Sequence, residues 1–306
     1  MAAMKAQLRR MVQAVTTQTA FKGRVRLARA LAPFLKPNEN PTLCRMPNDL
    51  RMMLDLSDPM QTDIYYGLYE TDLRQLVQAL VTPGMIFFDL GAHVGFYTLA
   101  AAQRVGVHGA VYAFEPLATN FALLAASVAA NHFTQVRLER VAVTDRVGSV
   151  TLHVPPRDAH NASGFATVMD FFPDAALETV PTISIDEYTQ RRNIPRIDLI
   201  KMDIEAAEVL ALRGMRKLLT RSRKPRILSE VNVTRLQDSG YASTILYDML
   251  AEYNYTAYRM EAHTLVKTDS AQIAAPLGNI LFLPPDDNLF EIATDSIPLE
   301  RIKALR

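Results

Sequence analysis

The chain has 306 residues, of which 49% are hydrophobic and 21% are charged, a composition typical of a globular protein with a sizeable buried core. This composition excludes an intrinsically disordered chain, a collagen-like repeat and a scaffold held together by disulfides. The single cysteine, Cys44, can form neither an internal disulfide nor a thiolate metal cluster, which favours a reducing compartment. No apolar run approaches the roughly 20 residues that a membrane-spanning helix needs. The sequence therefore predicts a cytoplasmic protein.

The net charge of +1 conceals an uneven distribution along the chain. Residues 1–38 contain eight basic residues and no acidic residue, which leaves 25 basic against 32 acidic residues elsewhere, a net charge of −7. An acidic remainder disfavours nucleic acid as a partner. The basic segment is compatible with peripheral contact to a membrane surface or with an organelle transit sequence. We favour the plainer interpretation, in which it is a helix whose apolar residues pack on the rest of the protein: Leu8, Met11, Val12 and Val15.

The first 85 residues predict a helical region followed by a connection and a second helix. Residues 1–36 are predicted to be helical, and the proline- and asparagine-rich passage 37–47 is typical of a connection. Residues 50–56 alternate loosely and predict a strand. Residues 63–81 have apolar side chains at helical spacing and predict one helix.

From Met85 onward, short β-rich runs alternate with helical stretches. Strands that are buried on both faces appear as continuous apolar runs, and helices between them imply parallel crossovers. The sequence therefore predicts an α/β protein with an open, doubly wound sheet. The runs that carry this prediction are MIFFDLG, AVYAFEP, VRLERVAV, RIDLIKMDI and RILSEVN.

The first of these strands ends in a glycine-containing loop that precedes a helix. Gly91 permits a tight turn and a close backbone approach, and Gly95 lets the helix begin near the strand. Glu115 ends the second strand, where a carboxylate can accept hydrogen bonds from both hydroxyls of a ribose. We therefore predict a site for a nucleoside-containing cofactor, formed by Asp89, Gly91, Ala92, Gly95, Glu115, Pro116 and Ala142.

The loop departs from the dinucleotide fingerprint, which has three glycines. It has two glycines, and the acidic residue Asp89 precedes them. An acid there suits a ligand with an amino group, such as the methionine part of S-adenosylmethionine, and would repel a pyrophosphate. A nicotinamide-linked oxidoreductase is therefore the weaker alternative. A non-catalytic binding or scaffold protein with a vestigial cofactor fold is the alternative from another class.

Five segments, in order along the chain, resemble the FkbM family of S-adenosylmethionine-dependent methyltransferases: FFDLGAHVGFYTL, VYAFEPLATNFALL, VAVTDRVGSVTL, IDLIKMDIEAAEVLALRG and ILSEVN. The resemblance covers about residues 60–285. The K-x-D-x-E-G-x-E motif of that family falls on Lys201, Asp203, Glu205 and Glu208, with Ala206 in place of the glycine. This replacement costs little if the position is helical.

The resemblance implies a Rossmann-like methyltransferase sheet that ends in an antiparallel hairpin formed by residues 256–261 and 279–284. It also implies methylation of a hydroxyl group on a small molecule or a glycan. We accordingly predict an N-terminal basic helix and connecting segment at 1–60, a methyltransferase domain at 61–290 and a C-terminal tail at 291–306.

Methyl transfer to a hydroxyl needs a base within hydrogen-bond reach, or a metal that acidifies the hydroxyl. We predict Asp203, Glu205 and His93 as the catalytic residues, with Glu205 and Glu208 on one face of a helix. Clustered carboxylates raise one another's pKa and could equally hold Mg²⁺, although nothing else in the sequence supports a metal site. Alternatively, Glu205 and Glu208 only stabilise the positive end of the helix they open. We expect Glu208, Glu230 and Asn232 to support the substrate, and Lys201 to pair with an acid such as Glu230.

Overall fold

The computed structural model describes residues 2–18, 21–156, 166–169, 174–272, 277–291 and 295–304. The strands are β1 (Thr42–Arg45), β2 (Arg51–Leu54), β3 (Ile86–Leu90), β4 (Ala110–Phe114), β5 (Val136–Glu139), β6 (Ala142–Val143), β7 (Gly148–Val154), β8 (Ala176–Ile183), β9 (Leu199–Met202), β10 (Arg226–Asn232), β11 (Thr256–Glu261), β12 (Thr264–Thr268), β13 (Leu277–Leu283) and β14 (Ser296–Pro298).

The helices are α1 (Ala2–Gln18), α2 (Arg24–Leu31), α3 (Pro59–Tyr65), α4 (Thr71–Leu80), α5 (Phe96–Val105), α6 (Ala118–Ala130), α7 (Ile185–Arg191), α8 (Glu208–Arg213), α9 (Arg216–Leu219), α10 (Val233–Asp238), α11 (Ile245–Ala251) and α12 (Leu299–Ala304). Among the described residues, no helix combines the length and the apolar character that a bilayer crossing requires.

The central sheet has the strand order β14-β12-β11-β13-β10-β9-β3-β4-β5. The five strands from β10 to β5 are parallel, and the chain runs outward from β3 through β4 to β5 before it returns to β9 and β10. The predicted doubly wound α/β fold is thereby confirmed. The reversal of strand order lies between β3 and β9, which is where such sheets bind ligands.

The antiparallel part of the sheet is larger than the predicted hairpin. Strands β11 and β13 pair antiparallel as expected, and β13 joins them to β10. Strand β12 lies between these two in sequence, pairs on the outer side of β11, and in turn pairs with β14. Residues of the predicted C-terminal tail therefore contribute the edge strand of the sheet.

Alternate residues of the central strands enter two separate cores, one on each face of the sheet. Phe87 and Leu199 belong to one buried cluster, whereas their neighbours Phe88 and Ile200 belong to the other. Because successive side chains of a strand point to opposite faces, a sheet covered by helices on both sides needs apolar residues at every position. This requirement explains the continuous apolar runs in the sequence.

The N-terminal region differs from its predicted elements in three places. The helix predicted for 1–36 is divided into α1, α2 and a 3-10 turn at Ala32–Leu35. Residues 42–45 form β1, which pairs antiparallel with β2, so part of the predicted connection is a strand. The single helix predicted for 63–81 is divided into α3 and α4, and the break contains left-handed backbone at Gly67 (φ 68°) and Glu70 (φ 38°).

The predicted packing of the basic helix is largely wrong. Val12 is buried, but Leu8, Met11 and Val15 are exposed on the other side of α1. Val12 joins a third core with Leu54 of β2 and with Leu99 of α5. The N-terminal segment thus shares a core with the main domain, and the boundary at residue 60 stays a prediction.

Candidate cofactor and acceptor site

A cavity of about 250 Å³ lies at the carboxyl ends of β3, β4, β9 and β10. Its wall contains acidic side chains on one side and apolar side chains of the small sheet β6–β8–β7 on the other. Several predicted site residues meet in this wall: Gly91, His93, Glu115, Pro116, Ala142, Asp203, Glu205 and Glu230. The site therefore lies where the strand order predicted it.

The other predicted residues lie behind this wall. Asp89 is buried within β3, where one carboxylate oxygen accepts a hydrogen bond from the Thr98 hydroxyl at 2.6 Å. Its other oxygen, Oδ1, is buried without a hydrogen-bond partner among the described residues, and burial raises the pKa of Asp89. The side chain of Asn232 caps α10 by accepting the backbone N–H of Arg235. Ala92 and Gly95 belong to the loop that leads into α5.

Gly91 is required by a contact within the protein. Its φ is 80°, and a Cβ atom at this position would stand 1.8 Å from the carbonyl oxygen of Asp203. The loop after β3 and the loop after β9 can therefore approach only if residue 91 is glycine. This approach brings the cofactor loop and the carboxylates of the β9 loop into one cavity.

Glu115 connects the end of β4 to the loop after β3. Its two carboxylate oxygens accept the backbone N–H groups of His93 at 2.8 Å and Leu117 at 3.0 Å. Burial raises the pKa of Glu115 to about 7, against the stabilising effect of these hydrogen bonds. Each carboxylate oxygen has a second lone pair, so the group can still accept a hydroxyl from the cavity.

Three carboxylates gather on the opposite wall. One oxygen each from Asp203, Glu205 and Glu230 lie within 4.8 Å of one another, an arrangement that could hold a metal ion. Asp203 is already paired with the buried Lys201 at 3.0 Å, and Glu205 is paired with Arg235. A cation at this place would compete with those two partners. The predicted pairing of Lys201 with a neighbouring acid is confirmed, but the partner is Asp203 and not the suggested Glu230.

The crowding of these carboxylates changes their protonation. Burial, and then the negative charge of Asp203, raise the pKa of Glu205 to about 8 and that of Glu230 to about 10. At neutral pH Glu230 therefore holds a proton and can donate a hydrogen bond into the cavity. Burial lowers the pKa of His93 to about 4, against the attraction of Asp58 and Asp203, so its imidazole is neutral.

Glu205 and Glu208 do not share a helical face. Helix α8 begins only at Glu208, whereas Glu205 (φ 56°) and Ala206 (φ 74°) have left-handed backbone. The carboxylate of Glu208 accepts the backbone N–H of Ile204 at 2.9 Å. Glu208 thus supports the turn and the start of the helix, as in the alternative interpretation, and lies outside the cavity wall.

The backbone at Ala206 explains the glycine in the family motif and gives a prediction. A left-handed conformation costs a residue with a Cβ atom about 1 kcal/mol. We expect Ala206→Gly to raise the free energy of unfolding by about 0.5–1 kcal/mol, measured by urea denaturation. The matched change Ala211→Gly, inside α8, is expected to lower it by a similar amount. A loss of stability in Ala206→Gly would contradict this explanation.

Three contacts of the site were not foreseen from the sequence. Arg235, at the start of α10, forms the ion pair with Glu205, and Thr167 donates its hydroxyl to the Glu205 carbonyl at 2.7 Å. Glu70, which precedes α4, also lines the cavity and accepts the hydroxyl of Tyr97 at 2.6 Å. No local pattern points to these contacts, since each joins two residues more than 25 positions apart.

Comparisons with known proteins give a family match that spans most residues of this site. The chain matches the family model described as the methyltransferase FkbM domain over residues 89–257. It is 29% identical to the 31-O-demethyl-FK506 methyltransferase FkbM of Streptomyces tacrolimicus over 181 residues, which are 50% of this chain and 65% of that protein. The match therefore spans slightly less than two thirds of that relative.

Two solved structures have a distant likeness to the chain. Precorrin-6y C5,15-methyltransferase from Geobacter metallireducens GS-15 has a TM-score of 0.39 and 10% identity, covering 70% of this chain and 86% of that chain. Aeropyrum pernix fibrillarin, in complex with S-adenosyl-L-methionine, has a TM-score of 0.38 and 11% identity, covering 69% and 73%. The family model itself covers more than half of the sequence and includes the loops that form the cavity, so the chain belongs to the FkbM methyltransferase family.

Proposed function

We propose that the protein transfers a methyl group from S-adenosylmethionine to a hydroxyl group of a small molecule or a sugar. The observation that carries this proposal is the cavity in which Glu115, suited to a ribose, faces a wall that contains Asp203, suited to accept a proton. Membership of the FkbM methyltransferase family supports the class of reaction.

The residues present fit such a cofactor. Glu115 offers carboxylate lone pairs for ribose hydroxyls, and Pro116, Ala142 and Leu152 offer an apolar wall for a flat base. Near the end of β3, next to the glycine loop, the Oδ1 atom of Asp89 is buried and has no hydrogen-bond partner among the described residues. When bound, S-adenosylmethionine supplies a methyl group on a positively charged sulfur, and the acidic wall complements that charge.

Asp203 is the residue best placed to take the hydroxyl proton. Its carboxylate reaches the cavity and accepts a hydrogen bond from Lys201 at 3.0 Å. Burial lowers the pKa of Lys201, but the combined attraction of Asp203, Asp89 and Glu70 outweighs burial and raises it. Lys201 therefore stays charged, and its ion pair with Asp203 holds that carboxylate at the cavity wall, where it can accept a proton.

The neighbouring groups have different roles in this proposal. Glu230, protonated at neutral pH, donates a hydrogen bond that orients the acceptor hydroxyl toward Asp203. Glu205 is held in place by its ion pair with Arg235 and forms part of the acidic wall of the cavity. His93, with a neutral imidazole, lies beside the glycine loop and is the second candidate for the base.

Cofactor binding is tested by thermal unfolding with S-adenosylmethionine, S-adenosylhomocysteine or NAD at saturating concentration. A ligand at 100 times its dissociation constant stabilises a protein by about 2.7 kcal/mol, which at this length raises the midpoint by a few degrees. We expect a shift with the two adenosyl ligands and none with NAD. A shift with NAD alone would support the oxidoreductase alternative, and no shift with any ligand would support the non-catalytic one.

The role of Glu115 gives a prediction for the same assay. Glu115→Gln is expected to raise the dissociation constant of S-adenosylhomocysteine about 10- to 100-fold, because a charged acceptor of two hydroxyls is lost. Glu139→Gln is the matched control, since Glu139 ends the neighbouring strand β5 and lies outside the cavity wall. Isothermal titration calorimetry measures both affinities. Wild-type affinity in Glu115→Gln would remove the ribose assignment.

Transfer is tested by release of S-adenosylhomocysteine with a panel of hydroxyl compounds. The relative named above is a 31-O-demethyl-FK506 methyltransferase, so 31-O-demethyl-FK506 belongs in the panel together with monosaccharides and simple phenols. We expect at least one hydroxyl acceptor to stimulate release above the level without acceptor. Amines of matched shape are the control, and stimulation by amines alone would contradict a hydroxyl acceptor.

A further inference from the structure

Helix α1 carries an apolar stripe that faces away from the protein. Met4, Leu8, Met11 and Val15 recur at intervals of four, three and four residues, which places them on one side of a helix. All four are exposed, Met4 to 67% and Met11 to 58%. The buried side of the helix is a different one and contains Val12, Gln13 and Thr16. The larger apolar side chains of helix α1 therefore lie on its exposed side and not on its buried side.

The exposed apolar surface continues beyond α1. Phe21, Val25 and Leu27 are exposed around α2, and Phe34, in the 3-10 turn that follows, is 74% exposed. Within the described residues from 21 to 36, only Ala28 and Leu35 are buried. Exposed apolar side chains at so many positions of one segment indicate an interaction surface. We call the exposed face of residues 4–36 the N-terminal face.

Unpaired basic side chains surround these apolar residues. Residues 1–38 contain eight basic residues and no acidic residue. Arg29 is paired with Asp63, which belongs to α3. Five others are exposed and have no carboxylate partner among the described residues: Lys5, Arg10, Lys22, Arg26 and Lys36.

We infer that the N-terminal face docks on a lipid bilayer that contains anionic headgroups. An anionic bilayer can bind both kinds of side chain of the N-terminal face. Its phosphate groups attract the basic side chains, and the boundary between headgroups and acyl chains takes up the apolar ones. Nucleic acid would neutralise the charges but leave Phe34 and the stripe of α1 in water. A helix lying in the plane of the bilayer exposes one long face, as α1 does, and needs no membrane-spanning length.

The N-terminal face adjoins a groove that leads toward the candidate site. This groove lies between the 3-10 turn and α3, and its wall includes Pro33 and Lys36. Met60 and Tyr69 line both this groove and the cavity that contains Asp203. A protein docked by this face thus keeps its candidate site close to molecules at the bilayer surface, a consequence that rests on the proposed function.

The docking inference is tested by sedimentation of the full chain with phosphatidylcholine vesicles, with and without phosphatidylglycerol. We expect binding only when phosphatidylglycerol is present, and weaker binding at high salt, because screening shortens the range of the attraction. Binding is independent of S-adenosylmethionine, so failure of this test and failure of the proposed function are separate results.

Two variants and two matched controls locate the docking surface. Arg10→Glu/Lys22→Glu/Lys36→Glu and Leu8→Gln/Met11→Gln/Phe34→Gln are each expected to lower the vesicle partition coefficient about tenfold or more. The controls, Arg140→Glu/Arg216→Glu/Lys303→Glu and Val107→Gln/Leu177→Gln, change exposed residues elsewhere and are expected to stay within about twofold of wild type. Thermal unfolding verifies that each variant is folded.

Several outcomes would overturn the inference. Wild-type protein that stays in the supernatant with phosphatidylglycerol vesicles at low salt has no such surface. If the docking variants and their controls lose vesicle binding equally, the loss is a general effect of charge or solubility and not of the N-terminal face. In another outcome, the protein does not bind vesicles and instead binds a DNA or RNA duplex, or self-associates as measured by light scattering. If the docking variants lose that binding or self-association, the N-terminal face belongs to that partner.

Discussion

Replacing Asp203 by Asn is expected to lower turnover by about 100- to 10,000-fold, which is the usual contribution of a general base. The affinity for S-adenosylmethionine should stay within about threefold of wild type, because Asn keeps the shape of the side chain and an oxygen that accepts from Lys201. The loss falls on the chemical step, since the hydroxyl keeps its proton when the methyl group is transferred. The measurement is single-turnover kinetics with a hydroxyl acceptor identified in the panel, together with calorimetry for the cofactor.

The matched control for this change lies at the other end of the same strand. Asp198 precedes β9 and is paired with Arg196 and Arg223, outside the cavity wall, so Asp198→Asn should leave turnover nearly unchanged in molecules that remain folded. His93→Gln separates the two candidate bases. Near wild-type turnover in Asp203→Asn, combined with a large loss in His93→Gln, would transfer the role of base to the imidazole.

The sheet was predictable because its signal is local and repeated. Strands β3 and β9 each begin with consecutive apolar residues, and Phe87 and Phe88 enter opposite cores. Each strand alone therefore indicates a sheet that is buried on both faces. Strand β1 carries no such signal, because two of its four residues are exposed and it pairs only with β2. The break between α3 and α4 depends on left-handed backbone at Glu70, which helical periodicity does not encode.

The site was predictable to the extent that strand ends define it. Glu115 and Asp203 follow β4 and β9, the two parallel strands on either side of β3, and the carboxyl ends of these strands lie at one edge of the sheet. The pairing of Lys201 with Asp203 also follows from an elementary rule, since residues two apart in extended chain lie on the same face. The ion pair of Glu205 with Arg235 could not be foreseen, because it joins the loop after β9 to helix α10, 30 residues later, through the register of β9 and β10.

Glu230→Gln is expected to make the protein more stable in mildly alkaline solution. Burial and the neighbouring carboxylates raise the pKa of Glu230 to about 10 in the folded protein. The unfolded chain releases this proton near the ordinary glutamate value of about 4.3. Between these two values the folded state binds more protons than the unfolded state, so the free energy of unfolding falls as the pH rises.

Glutamine removes this titration and keeps the side-chain volume. We expect the free energy of unfolding of Glu230→Gln, relative to wild type, to rise by about 5 kcal/mol between about pH 5 and about pH 9. The raised pKa values of Glu115 and Glu208, both about 7, also lower the free energy of unfolding as the pH rises, in wild type and in Glu230→Gln alike. The lowered pKa of His93 acts in the opposite direction below its unfolded value of about 6.5, again in both proteins. These contributions therefore cancel in the difference.

Urea denaturation at a series of pH values measures this difference directly. Glu252→Gln is the matched control, since Glu252 is exposed at the end of α11, and its curve should run parallel to that of wild type. If the curve of Glu230→Gln were also parallel to wild type, Glu230 would be ionised in the folded protein at neutral pH. It could then not donate the hydrogen bond that orients an acceptor hydroxyl, and the wall would carry one more negative charge. A parallel curve would therefore favour a cationic occupant of that wall, whereas the expected divergence favours a hydroxyl held between a proton donor at Glu230 and a proton acceptor at Asp203.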